Sequence, residues 1–256
     1  MTRILLSTLA ATALMTGAAS AQMATALIGP NTLTTFDAKT GKLVKSVTVS
    51  GLAAIAGIDV RPADGLLYAI GNDGTVATVD PMTGKASPKG KLERMPPAGV
   101  SVTVDFNPVA DRLRVIGADG TNLRANVDDG KVAVDGGLSF KSDDPMAGKT
   151  PKVVAGAYSN SVRGTKETAL YDIDASGTYL KQAPPNDGIL NTLGSIGARA
   201  ERIAFDIYSD GQANWGFVVT GKVLSRLDIA NGKLTKVAEL QGLNGQPVRD
   251  IAVWAK

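Results

Sequence analysis

The stretch Gly57–Lys85, GIDVRPADGLLYAIGNDGTVATVDPMTGK, returns in pieces along almost the whole chain, and this recurrence restricts the fold more than any other feature. It reads as a short apolar strand ending at Arg61-Pro62, a strand through Leu67–Ile70, the turn Asn72-Asp73-Gly74, a strand through Val76–Val79 and the turn Asp80–Gly84. That is most of a four-stranded antiparallel unit. Asp59 and Asp105, Pro62 and Pro108, Leu67 and Leu113, Ile70 and Ile116, and Gly74 and Gly120 are all 46 residues apart.

Two sub-patterns recur separately, each in five copies. The first is an apolar strand closed by an acidic or amide turn and Gly: LTTFDAKTG (33–41), VATVDPMTG (76–84), NLRANVDDG (122–130), ALYDIDASG (169–177) and LSRLDIANG (224–232). The second is a short strand of branched apolar residues mixed with small or acidic ones: GIDVRP (57–62), VDFNP (104–108), GAYSN (156–160), AFDIY (204–208) and DIAVW (250–254). A period of about 40 to 50 residues with strand-and-turn patterning predicts propeller blades, because a twisted four-stranded sheet cannot cover both its faces alone and a ring of such sheets can. The chain opens on the first sub-pattern and closes on the second. Pairing the two ends in one blade therefore completes a ring and removes an exposed edge. The expected fold is all-β, a five-bladed β-propeller. A six-bladed ring, with extra strands at 136–140, and an open β-sandwich are the alternatives.

Met1-Thr2-Arg3, the apolar run from Ile4 to Ala19 and the small-x-small pattern Ala19-Ser20-Ala21 read as a secretory signal peptide over 1–21. The rest, 22–256, reads as a single domain with no linker, its first residues, Gln22 to Thr25, loose. No second apolar run is long enough to span a bilayer. The expected address is the periplasm or the medium. The chain contains no Cys and no His. Disulfides, thiolate metal sites and cysteine nucleophiles are thereby excluded, as are Ser-His-Asp triads and histidine-ligated zinc. A net charge of +3 without a basic block gives no indication of nucleic acid.

The signatures GIDVRPADGLLYAIGNDGTVATVDPMTG, VDFNPVADRLRVIGADGTNLRAN, and AYSNSVRGTKETALYDIDASG followed by QAPPNDGILNTLG resemble those of a family of secreted bacterial proteins catalogued as domain-of-unknown-function family 4394. The resemblance covers nearly the whole chain after residue 21. It implies a secreted, propeller-like domain, and it implies no activity and no catalytic residue.

Five groups of residues are candidates for function. Asp59, Asp105 and Asp206 occupy equivalent positions of the short strands, where the other two copies have Ala157 and Ala252. On innermost strands they would either line the channel and hold a cation, or accept hydrogen bonds that fix the spacing between blades. As converging carboxylates they would also suit a carbohydrate-directed acid and base. Asp172, Asp174 and Ser176 match the opening of a Ca2+ loop, which lacks its closing acid because Ala183 stands at the twelfth position. Arg112 and Arg114 project to one sheet face, ready to clamp an anion or to pair with Asp105, Asp111 or Asp119. Gln182, Pro184, Pro185, Asn186 and Asp187 form a stiff rim loop unlike the repeats, with 135–152 a second such loop. Trp215 follows a polar turn and suits ring stacking or core packing, and Trp254 belongs at the ring seam. Together these favour a monomeric, non-enzymatic binding module for a protein, glycan or small molecule. A carboxylate-dependent enzyme and a structural domain with a channel cation are the alternatives. The discriminating observation is whether the three aspartates converge on one space or are each tied between blades.

Overall fold

A computed structural model describes residues 22–199 and 202–255. The signal-peptide expectation, 1–21, lies outside the described residues. In chain order, blade 1 receives β1 (Gln22–Ile28), β2 (Thr32–Asp37) and β3 (Leu43–Thr48), and blade 2 is β4 (Ile55–Val60), β5 (Leu67–Gly71), β6 (Thr75–Val79) and β7 (Ala86–Lys91). Blade 3 is β8 (Val102–Asn107), β9 (Arg112–Gly117), β10 (Asn122–Ala125) and β11 (Val132–Val134). After the two-residue β12 (Ser139–Phe140), blade 4 follows as β13 (Val153–Tyr158), β14 (Leu170–Asp174), β15 (Thr178–Gln182) and β16 (Ile189–Ser195). Blade 5 is β17 (Ile203–Ser209), β18 (Asn214–Thr220), β19 (Val223–Leu227) and β20 (Leu234–Glu239), and β21 (Val248–Ala255) ends the chain. Among the described residues no helix is long and apolar enough to cross a membrane.

The strands form five separate sheets, which is the five-bladed ring. β21 pairs antiparallel with β1 and becomes the innermost strand of blade 1, with Gln22 opposite Ala255 and Met23 opposite Trp254. Gln22 to Thr25 are therefore ordered strand rather than a loose leader, because closing the ring requires them. β12 adds to the outer edge of blade 4, parallel to β16, as a fifth strand. The six-bladed alternative places extra strands at 136–140; a strand forms at Ser139–Phe140, but it thickens a blade instead of adding one.

The five short-strand copies are the five innermost strands β4, β8, β13, β17 and β21. Of the five turn copies, four close the third strand of a blade onto the fourth. The copy ending Asp174–Gly177 instead joins the second strand of blade 4 to the third. It is a related turn one residue shorter, placed one strand earlier: Gly177, at φ 84, donates its N–H to the Asp174 carbonyl three residues back at 2.7 Å, where Gly84 reaches Asp80 four residues back at 2.8 Å. The outer turn of blade 4 is then QAPPNDG, folded as a one-turn 3-10 helix over Pro185–Asp187.

Apolar residues of successive strand positions turn to opposite neighbours, so most inner strands are buried on both faces. The core is accordingly divided into inter-blade layers. Ala24, Phe36 and Ile251 of blade 1 meet Phe217 and Leu224 of blade 5, and Tyr68 and Ile70 of blade 2 meet Phe106 and Val115 of blade 3. The outermost strands β3, β7 and β20 are mostly exposed, as strands with only one covered side should be. The junction between blades 3 and 4 departs from this plan. Of the blade 3 strands, β9 alone contributes to its apolar layer, through Ile116, and beside that layer Arg114 reaches the Tyr158 hydroxyl, Asp135 and Asn186.

Candidate functional site

All inner strands run in one direction along the axis. We call the face where they begin the upper face and the face where they end the lower face. The edge of each inner strand that borders the channel has no strand to pair with, so its N–H groups need other acceptors. Asp59 accepts the Phe106 N–H at 2.7 Å from the next blade, Asp105 accepts that of Tyr158 at 2.9 Å, and Asp206 accepts that of Val253. One layer nearer the upper face, Asp250 accepts the Ile58 N–H at 2.9 Å and Thr103 Oγ1 that of Gly156 at 3.3 Å. Gly57 leaves the room Asp250 needs, since a Cβ there would stand 2.8 Å from its Oδ2. Four of the five junctions are stapled in this way. The fifth, from β13 to β17, has Ala157 and Ala155 at the two equivalent positions.

Where the preceding blade carries Ala, the edge N–H turns to the carboxylate of its own neighbour. Val60 donates to Asp59 at 2.7 Å, Ile207 to Asp206 at 2.6 Å and Ile251 to Asp250 at 3.0 Å. Asp250 is the member of this set that sequence comparison missed. It lies two residues before Ala252, so an alignment by single positions does not find it.

Convergence and tying occur together. One oxygen from each of Asp59, Asp105 and Asp206 lies within 4.8 Å of the other two, and all three residues are buried. Burial raises all three carboxyls. Burial and then the neighbouring Asp206 push Asp59 well above the usual range. Asp105 follows for the same reasons, with Asp59 the nearest repelling charge. Asp206 rises to about 6 and Asp250 to about 8, in both cases chiefly by burial and against the backbone N–H groups that favour the charged form. The cluster therefore holds protons to higher pH than free aspartyl groups do.

The remaining candidates lie elsewhere. Arg114 is buried between blades 3 and 4. Its Nη1 binds Asp135 at 2.6 Å and Asn122 at 2.8 Å, its Nη2 binds Asn186 at 2.9 Å, and its Nε binds the Tyr158 hydroxyl at 3.2 Å. The acid it pairs with is Asp135, not Asp105, Asp111 or Asp119. The side chain of Asp135 is only 5% exposed and is also held by Arg124 at 2.6 Å. Asp111 belongs to Arg61, which it grips with both oxygens, at 2.8 and 2.6 Å, while Asp128 holds the other side of the same guanidinium. Arg112 donates to the carbonyls of Asp111 and Ala110. The two arginines share a face without sharing a partner.

The loop 182–188 is drawn into this same junction. Asn186 takes Arg114 on its side chain and the Gly136 N–H on its carbonyl, and the Pro185 carbonyl accepts from Asn122 at 3.0 Å and from Gln182 at 2.6 Å. Gln182 is buried, while Pro184, Asn186 and Asp187 are exposed. The stretch 135–152 is fastened to blade 4, where Asp144 accepts the Thr192 N–H at 2.6 Å and its hydroxyl at 2.8 Å. In the would-be Ca2+ loop, Asp174 is used by the Ser176 and Lys152 N–H groups. Asp172 is fully buried with neither oxygen hydrogen-bonded, and burial pushes it up to about 8. Trp215 stacks on Tyr208 with centroids 5.7 Å apart and packs on the layer between blades 5 and 1. Trp254 donates its indole N–H to Thr25 at 3.0 Å, across the seam that closes the ring.

The upper mouth of the channel holds a cavity of about 470 Å3 that no sequence motif marks. Gly29 and Gln246 from blade 1, Ala54 and Asn72 from blade 2, the loop 95–101 entering blade 3, and Arg202 of blade 5 surround it. A recess of about 30 Å3 beneath it reaches Val154 of blade 4. At the lower mouth a second cavity, about 280 Å3, has Asp59 and Asp206 among its walls together with Arg163, Tyr208 and Trp254. Arg249 and Arg202 lack a motif because they lie at strand starts with no repeat equivalent.

No curated protein matches the chain. Among solved structures, it is similar to a protein of unknown function from Bacteroides thetaiotaomicron, at 17% identity and a TM-score of 0.50 over 86% of this chain and 58% of that one. It is also similar to one of unknown function from Bacteroides caccae, at 14% identity and a TM-score of 0.45 over 86% and 73%. An auxiliary nutrient binding protein from Bacteroides ovatus matches at 16% identity and a TM-score of 0.46 over 82% and 57%. The chain thus spans less than two thirds of the length of two of these three. The family model described as a domain of unknown function (DUF4394) matches residues 32–252, and the chain belongs to that family.

Proposed function

We propose that the protein is a non-enzymatic binding module of the periplasm or the medium, acting as a monomer and holding its ligand at the upper mouth of the propeller. The observation that carries this reading is the cavity of about 470 Å3 at the upper face, built from blades 1, 2 and 3 with Arg202 of blade 5. Its volume is in the range of small-molecule sites, and its walls combine apolar surface with a few polar groups. The channel aspartates support the same reading from the other side. Their oxygens accept the edge N–H groups of the inner strands, a repeated structural use, which argues against their serving as the free acid and base that glycoside hydrolysis needs. The rim loop 182–187, Arg112, Arg114 and Trp215 are not among the residues that line this cavity.

A thermal-shift screen of the protein against glycans, peptides and small metabolites tests the reading. A ligand found there should lose its effect when Ala98→Trp fills the exposed side of the cavity. Binding untouched by Ala98→Trp, or glycan cleavage that disappears with Asp206→Asn, would remove it.

A second reading has one specific observation behind it. Three carboxylate oxygens within 4.8 Å of one another suit a hard cation at the usual Ca2+–oxygen distance of about 2.3–2.6 Å. Under this reading the ion would sit between Asp59, Asp105 and Asp206 and hold the ring together. Millimolar Ca2+ should then raise the melting temperature at pH 8, and Asp105→Asn should abolish the rise.

A further inference from the structure

Arg249, the second residue of β21, and Arg202, just before β17, line both the upper cavity and the recess beneath it. Arg249 donates one hydrogen bond, from Nη1 to the Gly29 carbonyl at 2.9 Å. Neither guanidinium forms an ion pair among the described residues. The carboxylate closest to Arg249 in sequence, Asp250, is occupied with the N–H groups of Ile58 and Ile251. The two arginines buried most deeply are neutralised, Arg61 by Asp111 and Asp128 and Arg114 by Asp135, whereas the half-buried Arg226 has the Gln22 amide oxygen and the Phe217 ring as partners. Burial, and then the charge of Arg202, lower the basicity of Arg249, so the two cations feel each other across the mouth. Met95, Pro96, Val100 and Val102 line the same cavity and supply its apolar surface.

Two like charges held at a partly desolvated mouth are stabilised by an anion that accepts from both. An apolar wall beside them adds a place for a nonpolar body. We propose that the upper mouth binds a small organic anion, its carboxylate or phosphate head between Arg202 and Arg249 and its apolar body against Met95, Pro96 and Val100. This rests on the upper mouth being the binding site.

Titration calorimetry of the protein with hexanoate, hexyl phosphate and the neutral hexanamide tests it. At least one anion should bind about ten-fold or more tightly than hexanamide. Which of the two does so identifies the head group. Arg202→Gln, at an exposed position whose loss leaves the fold intact, should weaken the anion about ten-fold and leave hexanamide unchanged. Arg249→Gln should act in the same direction. Hexanamide binding as tightly as both anions, no binding by either anion, or anion affinity indifferent to Arg202→Gln would each overturn the proposal. Hexanamide binding that Ala98→Trp blocks would keep the upper mouth as the binding site while removing the anion.

Discussion

The carboxylate of Asp59 accepts the backbone N–H of Phe106 across the junction of blades 2 and 3, and by doing so leaves Asp105 free to reach Tyr158 in blade 4. The staples form a relay around the channel, each acid serving the strand ahead of it. The relay stops at blade 4, where Ala157 stands in the acidic position, and the next strand must use its own Asp206 for Ile207. Position in the relay sets how much each acid is worth.

Asp206→Ala should cost more stability than Asp59→Ala. Removing Asp206 orphans the N–H groups of both Ile207 and Val253, and neither has a substitute, since their alternatives are Ala157 and Ala252. Removing Asp59 orphans Val60, whereas Phe106 can turn to Asp105 as other edge residues turn to their own neighbours. A buried unsatisfied donor costs about 1–3 kcal/mol, so the two variants should differ by roughly one such penalty in urea unfolding at pH 5. Equal losses, or the reverse order, would contradict the relay.

Stability should fall as pH rises from about 4 to about 8. The unfolded chain releases its aspartyl protons near pH 4, whereas the folded protein keeps those of Asp206 to about 6 and of Asp172 and Asp250 to about 8. Across that window the native state binds more protons than the unfolded state, so each pH increment favours unfolding. Surface acids such as Asp37, Asp73 and Asp128, held below their ordinary values by hydrogen bonds, act with the opposite sign below pH 4. The melting temperature is therefore expected to peak near pH 4–5. The double variant Asp206→Asn/Asp250→Asn should flatten the decline above the peak, and a slope it leaves unchanged would show that other groups cause it.

The number of blades and the ring closure are legible in the sequence because they rest on local turn chemistry repeated at a fixed period. Where the same chemistry serves a different position, the sequence misleads. Asp174–Gly177 has the residue types of an outer turn and makes an inner one, and the local difference is a single residue of spacing, three between Asp174 and Gly177 against four between Asp80 and Gly84. The distinctive loop 182–188 stands out because it fills a polar blade junction, and Arg114, its partner, is 72 residues from Asn186. The upper cavity could not be read at all. Its walls come from non-repeated residues at the starts of strands, and only closing the ring brings Arg202, Arg249 and the loop 95–101 together.

Arg114→Met should open the junction of blades 3 and 4. It leaves Asp135, with a side chain 5% exposed, facing only Arg124, and it removes the partner that Asn186 holds. Breaking one side of a buried pair costs about 3–5 kcal/mol. Hydrogen exchange should localise the loss, with faster exchange at Gly136 and Ser139, whose N–H groups bond to the 186–188 segment. Exchange that accelerates evenly over all five blades would mean that Arg114 does not hold this particular loop.

Asp172 and Gly156 should behave as a coupled pair. Asp172 is wholly buried in β14 with no hydrogen bond to its carboxyl group, and the β13 residue opposite it is Gly156. A Cβ on Gly156 would stand 2.5 Å from Asp172 Oδ1, so the glycine is there to admit the carboxyl group. Gly156→Ala alone forces a clash with a side chain that has nowhere to go, at a cost of about 1–3 kcal/mol. In an Asp172→Ala background the space is empty and the same substitution should cost little or add stability by filling it. A double-mutant cycle by urea unfolding measures the coupling. Costs that simply add would show that Gly156 is required for some other reason than the acid beside it.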